Sequence, residues 1–332
     1  MSTSENESLS VGTATAAPGE TARGHIEVGM LAGGIEVRIP VIVINGAGAG
    51  PTFWVNGAIH GDEPEGPRAC HLAMEQIDAA QLQGAVVMVP VLNPMAFSAM
   101  ERGNPLDTFT YDMNRCYPGK PDGYYTDRLA HAHWTAMNGV ADIEISIHSG
   151  GAHSFLDKAI FCDERPESVE LAKAMGEGWG CIMSNFSTSG SPMAMLNQNG
   201  AVGITVELGG RSATSPDAFR RVTSELAKSI VNICRHYEML PGEATYPDPC
   251  YKGAQTALLA PASGIFLPAE GVAFLTMMKK GDPIARIVDV WGDEVGSLAA
   301  PADGMFFGLR ALPNVQEGDW CCFYNIVEGT RD

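Results

Sequence analysis

Basic residues are scarce in this chain: 21 Lys and Arg stand against 39 Asp and Glu, a formal net charge of −18 over 332 residues. Binding a phosphate backbone needs basic stripes, so nucleic acid is not an expected partner. Long hydrophobic runs are missing as well. None approaches the roughly 20 residues that a membrane helix needs, and no membrane association is expected. The opening residues, Met1 to Ser8, have neither the basic nor the apolar region of a secretory signal. The eight cysteines, Cys70, Cys116, Cys162, Cys181, Cys234, Cys250, Cys321 and Cys322, include no C-x-x-C pair, which argues against a cysteine zinc site. Cys116 has no base beside it in sequence to make it a nucleophile. Reduced thiols and a cytoplasmic location are the expectation. The glycine-rich stretch 45–51 is not followed by the Lys-Ser/Thr pair of a phosphate-binding loop.

What is present suits a globular protein: 45% hydrophobic and 18% charged residues, in a length that accommodates one large domain and a smaller one. Residues 1–24 read as a disordered tail. Over 25–243, strand-like runs alternate with helical ones, which implies an α/β sheet whose sites gather beyond the carboxyl ends of the strands. Helices are expected over 67–80, 124–139, 166–177 and 216–238. From about residue 244 the texture changes to short strands punctuated by glycine and proline, a C-terminal β-domain over 244–332. Two of its segments echo each other, 260–266 (APASGIF) and 300–306 (APADGMF), each followed later by a Gly-Asp turn. The pattern resembles biotinyl/lipoyl-carrier β-domains, but no lysine stands at a turn between the halves.

The stretch that organises the chain is His60-Gly61-Asp62-Glu63-Pro64-Glu65-Gly66. It follows an apolar strand and opens a helix. His60 and Glu63, three apart, would lean the same way on one helical turn. An imidazole and a carboxylate so placed are two ligands of a metal site, and catalytic zinc keeps three protein ligands with one position for water. His148, at the end of the strand 142–147, is the third candidate; its alternative is a structural histidine. His131 and His133, two apart, would point in different directions on a helix. His153 is either a site-lining residue or a solvated loop residue. Glu207 ends another buried strand, where a carboxylate is costly unless it works in a site. It is a candidate general base for a metal-held water; its alternative is a helix cap. Between Asn93 and Gly119 lies a long loop with Arg102, Asp112, Asn114 and Arg115. Arginine and asparagine there suit a carboxylate, and a second arginine could polarise a carbonyl. Asp112 either orients Arg115 through a salt bridge or forms an ordinary surface pair.

In this order, H-x-x-E at 60–63, N-P at 93–94, D-x-N-R-x-x-P-G at 112–119, the histidine at 148 and E-L-G-G at 207–210, the chain resembles the succinylglutamate desuccinylase/aspartoacylase family over about residues 35–330. The resemblance implies a zinc carboxypeptidase-like fold, a mixed central sheet flanked by helices, with the smaller all-β domain after it. It implies one zinc ion per chain on His60, Glu63 and His148, Glu207 as base, Asn114 and Arg115 on the substrate carboxylate, and Arg102 on the scissile carbonyl. The expected activity is hydrolysis of the amide of a small N-acylated amino acid, with the β-domain narrowing the mouth. Within the family the texture is most similar to the branch containing N-acetyl-diaminobutyrate deacetylases. A metallocarboxypeptidase acting on short peptides and a non-catalytic metal or small-ligand binding module are the other readings. Exposed edge strands in the β-domain would favour a homodimer.

Overall fold

The computed structural model describes residues 6–330 except 108 and 187. The N-terminal segment within that range is not a disordered tail. Leu9–Val11 (β1) and Ala14–Ala16 (β2) form an antiparallel hairpin, and Glu20–Met30 (β3) pairs along its length with Glu36–Asn45 (β4). Val11, Ala14 and Ala16 are buried in one core with Ile39, Val41 and Trp54. Small apolar residues spaced among polar ones are enough to cover one face of a sheet. Residues 1–5 of the expected tail lie outside the described residues.

The strands β5 (Gly48–Asn56), β6 (Gln83–Val89), β7 (Ile143–His148), β8 (Ser154–Phe161), β9 (Cys181–Met183) and β10 (Val202–Gly209) are largely apolar and buried. Strands covered on both faces have this composition. Helices α1 (Glu65–Met74), α2 (Pro94–Ala99), α3 (Tyr125–Met137), α4 (Pro166–Lys173), α5 (Pro192–Gln198) and α6 (Pro216–His236) connect or follow them. Asn93, Ser191 and Ser215 cap α2, α5 and α6, each ahead of a proline that suits the first turn. α1, α4 and α6 cover one face of the sheet, where Val222, Leu226, Ile230 and Ile233 of α6 join its core. α3 and Leu196 of α5 cover the other.

β5 lies between β6 and β7, and β7 is followed by β10, all parallel. β8 pairs antiparallel to β10, and β3 and β4 extend the opposite edge antiparallel. The sheet is therefore mixed, as expected. The carboxyl ends of β5, β7 and β10 lie side by side, and the candidate residues come from there.

The C-terminal region is all strand: β11 (Tyr251–Leu259), β12 (Gly264–Pro268), β13 (Met277–Met278), β14 (Pro283–Val288), β15 (Glu294–Ala299), β16 (Gly304–Arg310), β17 (Asn314–Val315) and β18 (Trp320–Thr330). It is not set apart from the main sheet. β11 pairs parallel with β9, β18 pairs with β11 and β16, and β16 returns to pair with β8. The cycle β8–β9–β11–β18–β16 is closed. The two echoing segments interlock: Ala260 exchanges backbone bonds with Gly318 and Asp319, and Ala300 with Gly281 and Asp282. Each repeat is thus closed by the Gly-Asp turn that follows the other.

One polar group is set within the main sheet. Glu144, in mid-β7, is fully buried; its Oε1 accepts from Asn56 Nδ2 at 2.9 Å and from the Ser146 hydroxyl, while Trp54 Nε1 donates to Asn56 Oδ1. Burial pushes its pKa up to about 8, against the lowering effect of Ser146 and Asn56. The folded protein keeps this proton where the unfolded chain, near 4.5, releases it. The stability that depends on neutral Glu144 is fully present below about pH 4.5 and is lost as pH rises to about 8. Glu144→Gln cannot ionise. Its stability advantage should grow across that window, to as much as about 5 kcal/mol at pH 9. Urea unfolding of both proteins at pH 5, 7 and 9 checks this; parallel pH profiles would reject it.

Candidate metal centre and its cavity

β5 ends at Asn56, and the chain then turns sharply. His60 and Glu63 lie on that turn, with the Glu63 N–H on the His60 carbonyl at 3.3 Å, and not on α1 itself, which starts at Glu65. The turn is tight because α2 crosses it: a side chain on Gly61 would stand 1.9 Å from the Ala96 backbone. Only glycine permits that approach.

The turn brings His60 Nδ1 to 2.8 Å from Glu63 Oε1. His148, the last residue of β7, places its Nδ1 3.0 Å from Glu63 Oε2 and 3.2 Å from His60 Nδ1. All three side chains are buried, and they are the one group of His, Cys, Asp and Glu donors among the described residues that converges within 4.8 Å. Zinc bonds of about 2.1 Å in a tetrahedron separate neighbouring donors by about 3.4 Å. The spacing found here is slightly tighter, so the donor set fits such an ion. His60 Nε2 faces Asp112 Oδ1 at 3.1 Å. A carboxylate only accepts, so the proton belongs on Nε2 and the Nδ1 lone pair is free for a metal.

Burial lowers the His60 pKa, but the Glu63 and Asp112 carboxylates outweigh it and the net shift is upward. Burial would raise Glu63, yet the two imidazoles hold it well below the usual range. His148 is lowered by burial, only partly countered by Glu63. Glu207 lies beside His148 in the β7–β10 register. Burial and repulsion from Glu63 raise its pKa well above that of an ordinary carboxyl, against the pull of Arg102. Its Oε2 is buried without a hydrogen-bond partner among the described residues.

These residues share a cavity of about 870 Å³. Arg102 reaches it: its Nη1 is 3.3 Å from His60 Nδ1, and Nη2 and Nε bond Asp112 Oδ2 at 3.0 and 3.3 Å. Asp112 therefore pairs with His60 and Arg102 and not with Arg115. Arg115 lines the cavity and donates to the Asn114 carbonyl at 2.8 Å. Asn114 is buried, with Oδ1 unpartnered among the described residues. His153 also lines the cavity, whereas His133 is buried against Tyr117 and Trp54. Gln255, Phe307, Trp320 and Phe323 form part of the wall from the C-terminal strands.

Two residues of the site escaped the sequence reading in their actual roles. For Asp112 the sequence offers a salt bridge to Arg115 or an ordinary surface pair, but its partners, His60 and Arg102, lie 52 and 10 residues away. Glu65 is fully buried, its Oε2 accepting from Ser149 Oγ at 2.8 Å and its Oε1 from Gly210 N at 3.0 Å. Burial raises its pKa to about 7 in spite of those bonds. A second carboxylate within one helical turn of His60-x-x-Glu63 was its available signal.

Comparison with known proteins gives a consistent result. The description of the succinylglutamate desuccinylase/aspartoacylase catalytic domain matches residues 49–234. N-alpha-acetyl-L-2,4-diaminobutyric acid deacetylase of Halomonas elongata is 29% identical over 301 residues, 85% of this chain and 84% of that one. A succinylglutamate desuccinylase from Silicibacter sp. TM1040 superposes with a TM-score of 0.79 at 23% identity, over 93% of this chain and 95% of its own. The product-bound ectoine utilization protein EutE (DoeB) of Ruegeria pomeroyi gives 0.78 at 23%, over 97% and 100%.

Proposed function

This chain belongs to the succinylglutamate desuccinylase/aspartoacylase family, and from that premise we propose that it is a zinc-dependent amidohydrolase that deacylates a small N-acylated amino acid. The observation that carries the reading is the convergence of His60, Glu63 and His148 beside Glu207 in one cavity. N-acetylated diamino acids are the first substrates to consider, because the Halomonas relative is named for that activity.

A divalent ion held by His60, Glu63 and His148 would lower the pKa of water toward about 7 and polarise the acyl carbonyl. Glu207 takes a proton from the attacking water as its oxygen bonds to the carbonyl carbon. It then delivers that proton to the amide nitrogen as the C–N bond breaks, leaving a free amine and a carboxylic acid, which releases its remaining proton to solvent. Glu207 stands beside His148 with Oε2 free of any hydrogen-bond partner among the described residues, which leaves that oxygen open for both transfers. Arg102, steadied by Asp112, faces the negative charge that develops on the carbonyl oxygen. Arg115 and Asn114 hold the substrate carboxylate and align the amide for attack. The wall of Trp320, Phe323 and Phe307 limits the length of what enters.

The test combines metal analysis with a screen of N-acetyl and N-succinyl amino acids for released amine. One zinc per chain and turnover of an N-acyl amino acid are expected. Release of C-terminal residues from peptides, with no action on those compounds, would replace the deacylase with a carboxypeptidase. Full turnover in stoichiometrically metal-free protein would end the metal proposal.

A further inference from the structure

The ladder that holds β7 against β10 runs through the pair His148 and Glu207. Beyond those residues the chain is tied by other bonds. Gly150 N donates to the Gly209 carbonyl at 3.2 Å, and Ser149 N to Glu63 Oε2 at 3.2 Å. Arg211 N donates to the Gly151 carbonyl at 2.6 Å and Ala152 N to Asp62 Oδ2 at 2.8 Å. Glu65 adds a tie that reaches both strand ends at once. One of its oxygens takes the hydroxyl of Ser149, the residue after His148. The other takes the N–H of Gly210, three residues after Glu207. Its own backbone begins α1, two residues after Glu63. A single buried carboxyl thus joins the segments that carry Glu63, His148 and Glu207. Gly209 completes the seat: its φ is +102°, and a Cβ there would come within 2.9 Å of Glu65 Oε1.

We propose that Glu65 is a positioning residue that sets where His148 and Glu207 stand relative to Glu63 by bonding the two strand ends at Ser149 and Gly210. It is neither one of the three converging donors nor among the residues that line the cavity. This rests on the hydrolase reading for its effect on turnover, but its effect on metal affinity does not need that reading. The chemistry required is hydrogen bonding and not negative charge. In Glu65→Gln, Oε1 still accepts from Gly210 N, and Nε2 can donate to Ser149 Oγ, because a hydroxyl both gives and accepts. Glu65→Leu fills similar space and removes both bonds.

The experiment measures zinc affinity by competition with a chromogenic chelator, and kcat and KM at saturating zinc, for the full chain and both variants. Partners that orient metal ligands are worth about 10–100-fold in affinity or activity. Glu65→Leu should lose about that much in zinc affinity and in kcat, with KM little changed. Glu65→Gln should stay within about 3-fold of the parent, which a requirement for charge would not allow. If Glu65→Leu does not fold, Ser149→Ala, which removes one of the two bonds, should weaken zinc by about 3–10-fold. Unchanged zinc affinity in Glu65→Leu, or in Ser149→Ala where Leu fails, overturns the proposal. So does a Gln variant as impaired as the Leu variant, or a loss confined to KM. A parent that binds zinc but cleaves no amide would refute the hydrolase reading, while the zinc series would still decide the role of Glu65.

Discussion

Replacing His148 with alanine is expected to leave a folded protein that retains no zinc through dialysis and hydrolyses no N-acyl amino acid. Three ligands define a catalytic zinc site, and two do not hold the ion against dilution. His148 comes from the end of β7, whereas His60 and Glu63 share the turn after β5, so its removal leaves that pair with one open side. Removing even an outer partner of a metal ligand costs about 10–100-fold, so loss of a ligand itself should cost about 10³-fold or more in turnover. Metal analysis after dialysis, far-UV circular dichroism and an amine-release assay separate loss of metal from loss of fold. A variant that keeps stoichiometric zinc, or turns over at more than a tenth of the parent rate, would remove His148 from the centre.

Glu207→Gln should behave differently. The amide keeps the size of the side chain but cannot take a proton from water. Glu207 is not among the three converging donors, so zinc should stay at one per chain. Turnover should fall by about 10²–10⁴-fold, the range for loss of a general base, with KM nearly unchanged. The pair of outcomes is the discriminating result: His148→Ala loses metal and activity, Glu207→Gln activity alone. Near-parental kcat in Glu207→Gln would assign the proton transfer to another group, and loss of zinc would make Glu207 a ligand.

Much of this arrangement was legible in the sequence because it is governed by local signals. A nearly continuous apolar run marked β6, isoleucines alternating with polar residues marked β7, and the helical runs over 67–80, 124–139, 166–177 and 216–238 marked α1, α3, α4 and α6, whereas α2 and α5 lie where the sequence reads as loop or gives no element. Histidine and glutamate at the ends of such runs drew attention to the carboxyl edge of a sheet. What could not be read depends on contacts remote in sequence. Residues 9–16 look like a polar tail until Val11, Ala14 and Ala16 are set against the core that β4 and β5 provide. The helical spacing of His60 and Glu63 suggested a helix, whereas the crossing of α2 at Gly61 keeps them on a turn. Asp112 has an arginine three positions away, but its partners are His60 and Arg102, and only the folded loop brings them to it. The boundary at 243/244 followed a real change in texture, yet composition carries no information about which strands pair across it.

That pairing restricts how relatives of this protein can be recombined. The β8–β9–β11–β18–β16 cycle crosses the change in texture twice, at β9–β11 and at β8–β16. A chimera that exchanges everything after residue 243 must therefore match two foreign seams at once. Either mismatch would unseat the aromatic wall of the cavity as well as the joint. Grafting selectivity from a relative should begin with individual side chains on that wall, such as Gln255 or Trp320, because they can be changed while the hydrogen-bonded hoop that carries them is left whole.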